Sequence, residues 1–128
     1  MTKTVLFGFT FFIMSITACA QADKNKTMTN SEFRSLLKSN PDLIVLDVRT
    51  AEELVGPLGR IENVIHIPLH ELSRRIQELE KYRDREIAII CRTQNRSSAA
   101  VDILLNNGFT AKCVLGGMTE YSKTVNKE

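Results

Sequence analysis

The 128 residues hold 43% apolar and 25% charged side chains, an ordinary globular composition with room for one domain of common size. The formal net charge is +2, with basic and acidic residues mixed along the chain, which excludes the clustered basic face that nucleic-acid binding requires. The local cluster Arg74, Arg75, Lys81, Arg83 and Arg85 is interleaved with Glu71, Glu78, Glu80, Asp84 and Glu86, and so reads as a solvated helix face.

In chain order, Lys3 precedes an apolar run from Val5 to Met14, and small residues follow up to Ala22. This is the layout of a secretory signal, and it falls short of the roughly 20 mostly apolar residues that a membrane span takes. Two cleavage readings stand. Ile16-Thr17-Ala18-Cys19 resembles the lipobox of bacterial lipoproteins, in which Cys19 is acylated and becomes the first residue; Ala20 after it favours the outer membrane. Ala20-Gln21-Ala22 instead fits an ordinary signal-peptidase site, giving a soluble periplasmic product that begins at Asp23. The expected organisation is a signal peptide over 1–18, a tether over 19–28 and a folded domain over 29–125. Removing the signal leaves Cys91 and Cys113 as thiols, too few for the disulfide framework of a small secreted domain.

Thr29-Asn30-Ser31-Glu32 is a capping box that opens a helix with Phe33, Leu36 and Leu37 on one face, ending near Ser39-Asn40-Pro41. Leu43–Leu46 is a continuous apolar run of strand length, the mark of a strand buried on both faces of a parallel sheet. Glu52-Glu53-Leu54 suits a helical turn, Val64–Pro68 a short strand, and His70–Tyr82 an amphipathic helix. Ile87–Ile90 is a second apolar strand, and Arg92–Ser97 a polar loop. The helix after it stops at Asn107-Gly108. Ala111–Leu115 is a last strand, Gly116-Gly117 a turn and Met118–Val125 a terminal helix. Strands alternating with helices predict an α/β fold with a parallel sheet.

Ligands of such sheets bind beyond the carboxyl ends of the strands, where Asp47 and Cys91 stand. The loop Arg92-Thr93-Gln94-Asn95-Arg96-Ser97 after Cys91 is expected to curl around the sulfur and aim several backbone N–H groups at it. The following helix N-terminus, with Arg92 and Arg96, adds positive charge, and each effect favours thiolate over thiol. An inert buried cysteine ending a strand is the alternative on local context. His66 and His70 stand in no metal-site spacing, so neither a metal nor a cofactor is expected; His66 reads as a sheet-edge strand residue.

The segment Cys91–Ser97 resembles the rhodanese active-site loop, C-R-x-G-x-R-S. Asp47-Val48-Arg49 is similar to the family's D-V-R, and Gly59–Pro68 to its G-H-I-x-G-A-x-N-I-P. Gly108-Phe109 and Gly116–Tyr121 fall where the family has G-F and G-G-x-x-x-W. The resemblance spans Thr29 to Lys123 and implies a parallel sheet with helices on both faces. It also implies sulfur transfer through a Cys91 persulfide, with Arg92, Thr93, Gln94, Asn95, Arg96 and Ser97 holding the substrate. Asp47, Arg49 and Arg60 would be supporting residues, the first two as a pair ordering a neighbouring loop, with a secondary substrate role for Arg49. The implied partners are a small anionic sulfur donor such as thiosulfate and a thiol or cyanide acceptor, with a monomeric chain and no membrane contact except a lipid anchor. A sulfur-carrier or binding module without turnover is the alternative.

The chain departs from the family pattern at Gln94 and Asn63, which replace glycines, at Arg60, which replaces His, and at Tyr121, which replaces Trp. A glycine site filled by Gln94 is expected to be harder to hold. Four residues separate Cys91 from Arg96, against five in related phosphatases and arsenate reductases, and the tighter loop suits one sulfur atom better than a tetrahedral oxyanion. By the resemblance, Cys113 lies in the strand beside that of Cys91, about two residues deeper. A Cα separation of roughly 8 Å follows, beyond disulfide range, which makes Cys113 a buried structural thiol.

Overall fold

A computed structural model describes residues 25–125. The signal segment and Cys19 lie outside the described residues. Five parallel strands form one sheet in the order β1-β5-β4-β2-β3: β1 (Thr27–Met28), β2 (Ile44–Asp47), β3 (Ile65–His66), β4 (Glu86–Ile90) and β5 (Thr110–Val114). The sheet therefore begins inside the stretch assigned to the tether. Thr27 and Met28 pair with Cys113 and Val114, because Met28 is apolar and buried while its flanks are polar.

Alternation along the strands sorts the core into two layers. Leu46, Val48, Ile87, Ile89, Cys91, Ala111 and Cys113 share one face with Leu72, Leu79, Ala100, Val101 and Leu104. These last come from α3 (Leu69–Arg75), a 3₁₀ segment over Ile76–Tyr82, and α4 (Asn95–Asn106). On the other face Val45, Ala88, Ile90 and Val114 meet Phe33 of α1 (Asn30–Ser39) and Met118 of α5 (Gly117–Val125). The short helix α2 (Ala51–Leu54) sits in the connection between β2 and β3.

Helix α1 starts at the capping box expected for it. Glu32 N–H donates to Thr29 Oγ1 at 3.2 Å and Thr29 N–H to Glu32 Oε2 at 2.7 Å. The amphipathic stretch up to Tyr82 is an α-helix only to Arg75, and its charged side chains pair on the surface, Arg75 with Glu71 and Glu78 and Arg83 with Glu80. β4 is the central strand, and Ile89 is in register with Cys113, so Cys113 lies two residues below Cys91, as parallel pairing requires.

Candidate active site

Cys91 follows the last residue of the central strand and is 1% exposed. The expected polar loop is shorter than the sequence suggests, since Asn95, Arg96 and Ser97 form the first turn of α4. The first amides of a helix lack intrahelical partners, and Gln94, at the N-cap, supplies no side-chain cap. The sulfur takes that place: Ser97 N–H donates to Cys91 Sγ at 3.4 Å, and Ser97 Oγ lies 3.3 Å from the same sulfur. Among the described residues these are the hydrogen bonds to Sγ, so one backbone amide serves it instead of several.

Gln94 has φ −157° and ψ −13°, outside the left-handed region that favours glycine. At Asn63, the other replaced glycine, φ is +59°, a conformation that asparagine tolerates better than most side chains.

Arg96 is not a free cation. Its Nη1 and Nη2 donate to Glu53 Oε2 and Oε1 at 2.6 and 2.7 Å, across 43 residues of sequence. The hydrogen bonds from Arg96 hold the Glu53 carboxyl far below the ordinary value of 4.5, at about 2, and Thr50 N–H, donating to Oε2 at 3.0 Å, pulls the same way. Arg96 is correspondingly raised, first by Glu53, with smaller contributions from Cys91 and Asp47. Because the folded value is depressed, the pair stabilises fully above pH 4.5, and the stabilisation is lost as pH falls through 4.5 toward 2. Glu53→Gln is therefore expected to lower the urea midpoint at pH 7, with the gap to wild type closing by about pH 2. A gap independent of pH would show that the carboxylate charge contributes nothing.

Asp47 and Arg49 form one buried pair, both 0% exposed. Arg49 Nε lies 3.0 Å from each Asp47 oxygen and Nη2 lies 2.8 Å from Oδ2, while the remaining contacts of the guanidinium reach the carbonyls of Glu53 and Gly59. These contacts direct Arg49 at the connection after β2. His66, on the edge strand, places Nε2 2.8 Å from the Arg49 carbonyl oxygen. Arg60 is exposed, and among the described residues no hydrogen bond or ion pair joins it to this cluster. Arg92, Thr93 and Asn95 are exposed. Arg92 lines a pocket of about 160 Å³ with Arg49, Glu53, Gly56, Pro57 and Leu58.

The last contributors were not legible as site residues. Met118 N–H donates to the Cys91 carbonyl at 2.8 Å and Thr119 N–H to that of Arg92 at 2.9 Å, so the first turn of α5 grips the backbone of the loop. Gly117, at φ +51°, sits so close that a Cβ there would fall 2.3 Å from the Thr93 oxygen and 2.5 Å from that of Cys91. The Gly116-Gly117 pair signalled a turn, but nothing local to it pointed at Cys91. Gly117→Ala is expected to combine left-handed strain with backbone overlap and to cost about 3 kcal/mol or more, read as a lowered urea midpoint. A loss below about 1 kcal/mol, the ordinary helix-position scale, would show that the contact yields easily.

A cysteine at the end of the central strand, capped by the helix after it and braced by a glycine-led helix, defines a single-cysteine loop on a parallel α/β sheet. The match to the rhodanese-like domain over residues 29–124 places the chain in that family. It is 35% identical over 91 residues to "Putative sulfur carrier protein YrkF" of Bacillus subtilis, covering 70% of this chain and 47% of that protein. It is 29% identical over 93 residues to "Putative sulfurtransferase YtwF" of the same organism, covering 73% and 86%. The chain thus spans about half the length of the first relative and most of the second. A crystallised rhodanese-like domain protein from Staphylococcus aureus superposes with a TM-score of 0.68 at 29% identity, over 75% of this chain and 90% of that one.

Proposed function

We propose that the protein is a sulfurtransferase that moves sulfane sulfur from thiosulfate or a similar donor to a thiophilic acceptor. The Cys91 thiolate attacks the outer sulfur of thiosulfate, the donor S–S bond breaks, and sulfite leaves with its electron pair. The outer sulfur of the resulting persulfide is then attacked by cyanide or a thiolate, which forms thiocyanate or a new persulfide and returns the Cys91 thiolate. Dividing a difficult transfer into two displacements is the advantage of such a nucleophile. The observation that carries this reading is the convergence of Ser97 N–H and Ser97 Oγ on Cys91 Sγ at the end of the central strand. Arg92, exposed at the mouth of the loop, supports recognition of the anionic donor, whereas the charge of Arg96 is matched by Glu53. No cofactor or metal is required. Mass spectrometry after incubation with thiosulfate is expected to find one added sulfur on the Cys91 peptide, removable by cyanide. An unmodified peptide overturns the reading.

The burial of Cys91 and the sulfur-carrier name of one relative favour a second reading, a carrier loaded once and emptied by a dedicated protein acceptor. Repeated formation of thiocyanate under excess thiosulfate and cyanide distinguishes the enzyme from the carrier.

We further propose export, on the strength of the apolar run over Val5–Met14 and the small residues after it. The chain is proposed to be a monomer on the periplasmic face of a bacterial membrane, held by acylated Cys19. Cys19→Ser is expected to abolish fatty-acid labelling and move the protein to the soluble fraction. A wild-type protein already soluble and beginning at Asp23 would replace the anchor with ordinary cleavage.

A further inference from the structure

Ser97 Oγ stands among three polar atoms: Cys91 Sγ at 3.3 Å, Cys113 Sγ at 3.1 Å and the Gln94 carbonyl oxygen at 3.1 Å. A hydroxyl has one proton to give and two lone pairs to receive, so these partners compete. A carbonyl oxygen only accepts, and so does a thiolate. With Cys91 ionised, the Ser97 proton faces two acceptors, and the charged one makes the stronger bond. Ser97 Oγ then has lone pairs to fill, and Cys113 S–H, which faces Ser97 Oγ at 3.1 Å and the Gln94 carbonyl oxygen at the longer distance of 3.7 Å, is the donor within reach. Cys113 Sγ in turn accepts from Ser98 Oγ at 3.6 Å.

We infer that Cys113 is a positioning residue for Cys91: its S–H donates to Ser97 Oγ, so that Ser98, Cys113 and Ser97 form a chain of donors running one way into the Cys91 sulfur. The chain lies between two cysteines that are each 1% exposed, where low local dielectric strengthens every link and successive bonds polarise one another. The shortest contact from Cys113 toward Cys91 runs through Ser97, because Cys113 is set opposite Ile89 in the ladder, too deep to bridge to Cys91. In the persulfide the inner sulfur is neutral, and the Ser97 proton turns to the Gln94 carbonyl, so the relay acts on the free thiolate alone.

The charges around the two cysteines are largely matched among themselves. Asp47 pairs with Arg49 and Glu53 with Arg96 beside Cys91. Lys26 pairs with Asp102, which line a pocket together with Cys113, and Lys112 of β5 pairs with Glu86 of β4. Arg92 is the exposed cation of the loop. None of these groups hydrogen-bonds Cys113, so a substitution there acts on the pH response of Cys91 through Ser97.

This inference rests on Cys91 being the nucleophile, and its test separates the two. Iodoacetamide alkylation of Cys91 is followed against pH in the folded full-length chain, with the modified peptide quantified by mass spectrometry. Cys113→Ala is expected to move the midpoint upward by about 0.3 pH unit, the share one polarising link adds, and Ser97→Ala by about one unit. Cys113→Ser, whose hydroxyl also donates, is expected to keep the wild-type midpoint. Where alanine prevents folding, Cys113→Val is read in its place, since it keeps bulk and strand preference. An unmoved midpoint in Cys113→Ala or Cys113→Val overturns the relay, and so does a shift in Cys113→Ser as large as that in alanine. Failure of thiosulfate to load sulfur on Cys91 in the wild type overturns instead the nucleophile assignment, and the relay falls with it.

Discussion

Cys91→Ser is expected to abolish sulfur transfer to the limit of detection while leaving the fold in place. The serine oxygen is smaller than sulfur but faces the same partners, Ser97 N–H and Ser97 Oγ, so a small inward shift keeps the amide of the first turn of α4 capped. Stability should change by about 1 kcal/mol or less, the scale of one exchanged hydrogen bond. Chemistry has no such substitute, because a neutral hydroxyl neither ionises near neutral pH nor forms a stable sulfur adduct. Cys113 cannot take over, being buried two residues below the strand end beneath Ser97. The check is sulfur loading by mass spectrometry beside a thermal melt of the same sample. Loading that persists and maps to Cys113 would sink the single-nucleophile assignment, and a collapsed melt would mark Cys91 as a structural thiol.

What the sequence discloses about this molecule follows the range of the interactions involved. Apolar runs at Leu43–Leu46 and Ile87–Ile90 announce buried parallel strands because both faces of each are covered, and the helix start at Thr29 is legible because its capping partners lie three residues apart. The proposed nucleophile is legible because its loop is contiguous. What fails is what needs the folded chain. Glu53 and Arg96 lie 43 residues apart, and Glu52-Glu53-Leu54 reads locally as a helical turn with no hint of the arginine. The grip of α5 on the carbonyls of Cys91 and Arg92 is a contact between backbones, carrying no side-chain signal except the glycine that permits it. The early start of α4 at Asn95 was hidden because its N-cap residue, Gln94, is not a capping type, the capping acceptor being a sulfur earlier in the chain. Thr27–Met28 is too short to show periodicity, and only its pairing with β5 makes it a strand.

Breaking the buried pair behind the site is expected to have the largest effect on stability. Asp47→Ala leaves the Arg49 guanidinium at 0% exposure with its carboxylate partner gone. Removing one member of such a pair costs about 3 to 5 kcal/mol, because the remaining charge has neither water nor counter-ion. At roughly 4 to 8 °C per kcal/mol for a domain of this size, the melting temperature falls by at least about 12 °C. Coulomb attraction gained in the pair is largely offset by the desolvation of both ions, so Asp47→Leu with Arg49→Met is expected to recover at least half of the loss in urea midpoint. Recovery stops short of complete because the Glu53 and Gly59 carbonyls lose the donors that Arg49 supplies. The activity of the double variant carries a further consequence. Glu53 is the anchor of Arg96, and Arg49 holds the Glu53 carbonyl, so a chain of contacts runs from the buried pair to the first turn of α4. The double variant should therefore fold, yet load sulfur on Cys91 more slowly than wild type under identical thiosulfate. A single Asp47→Ala variant within about 1 kcal/mol of wild type would show that water reaches Arg49. A double variant as unstable as the single one would show that the pair supplies net stability beyond its own desolvation.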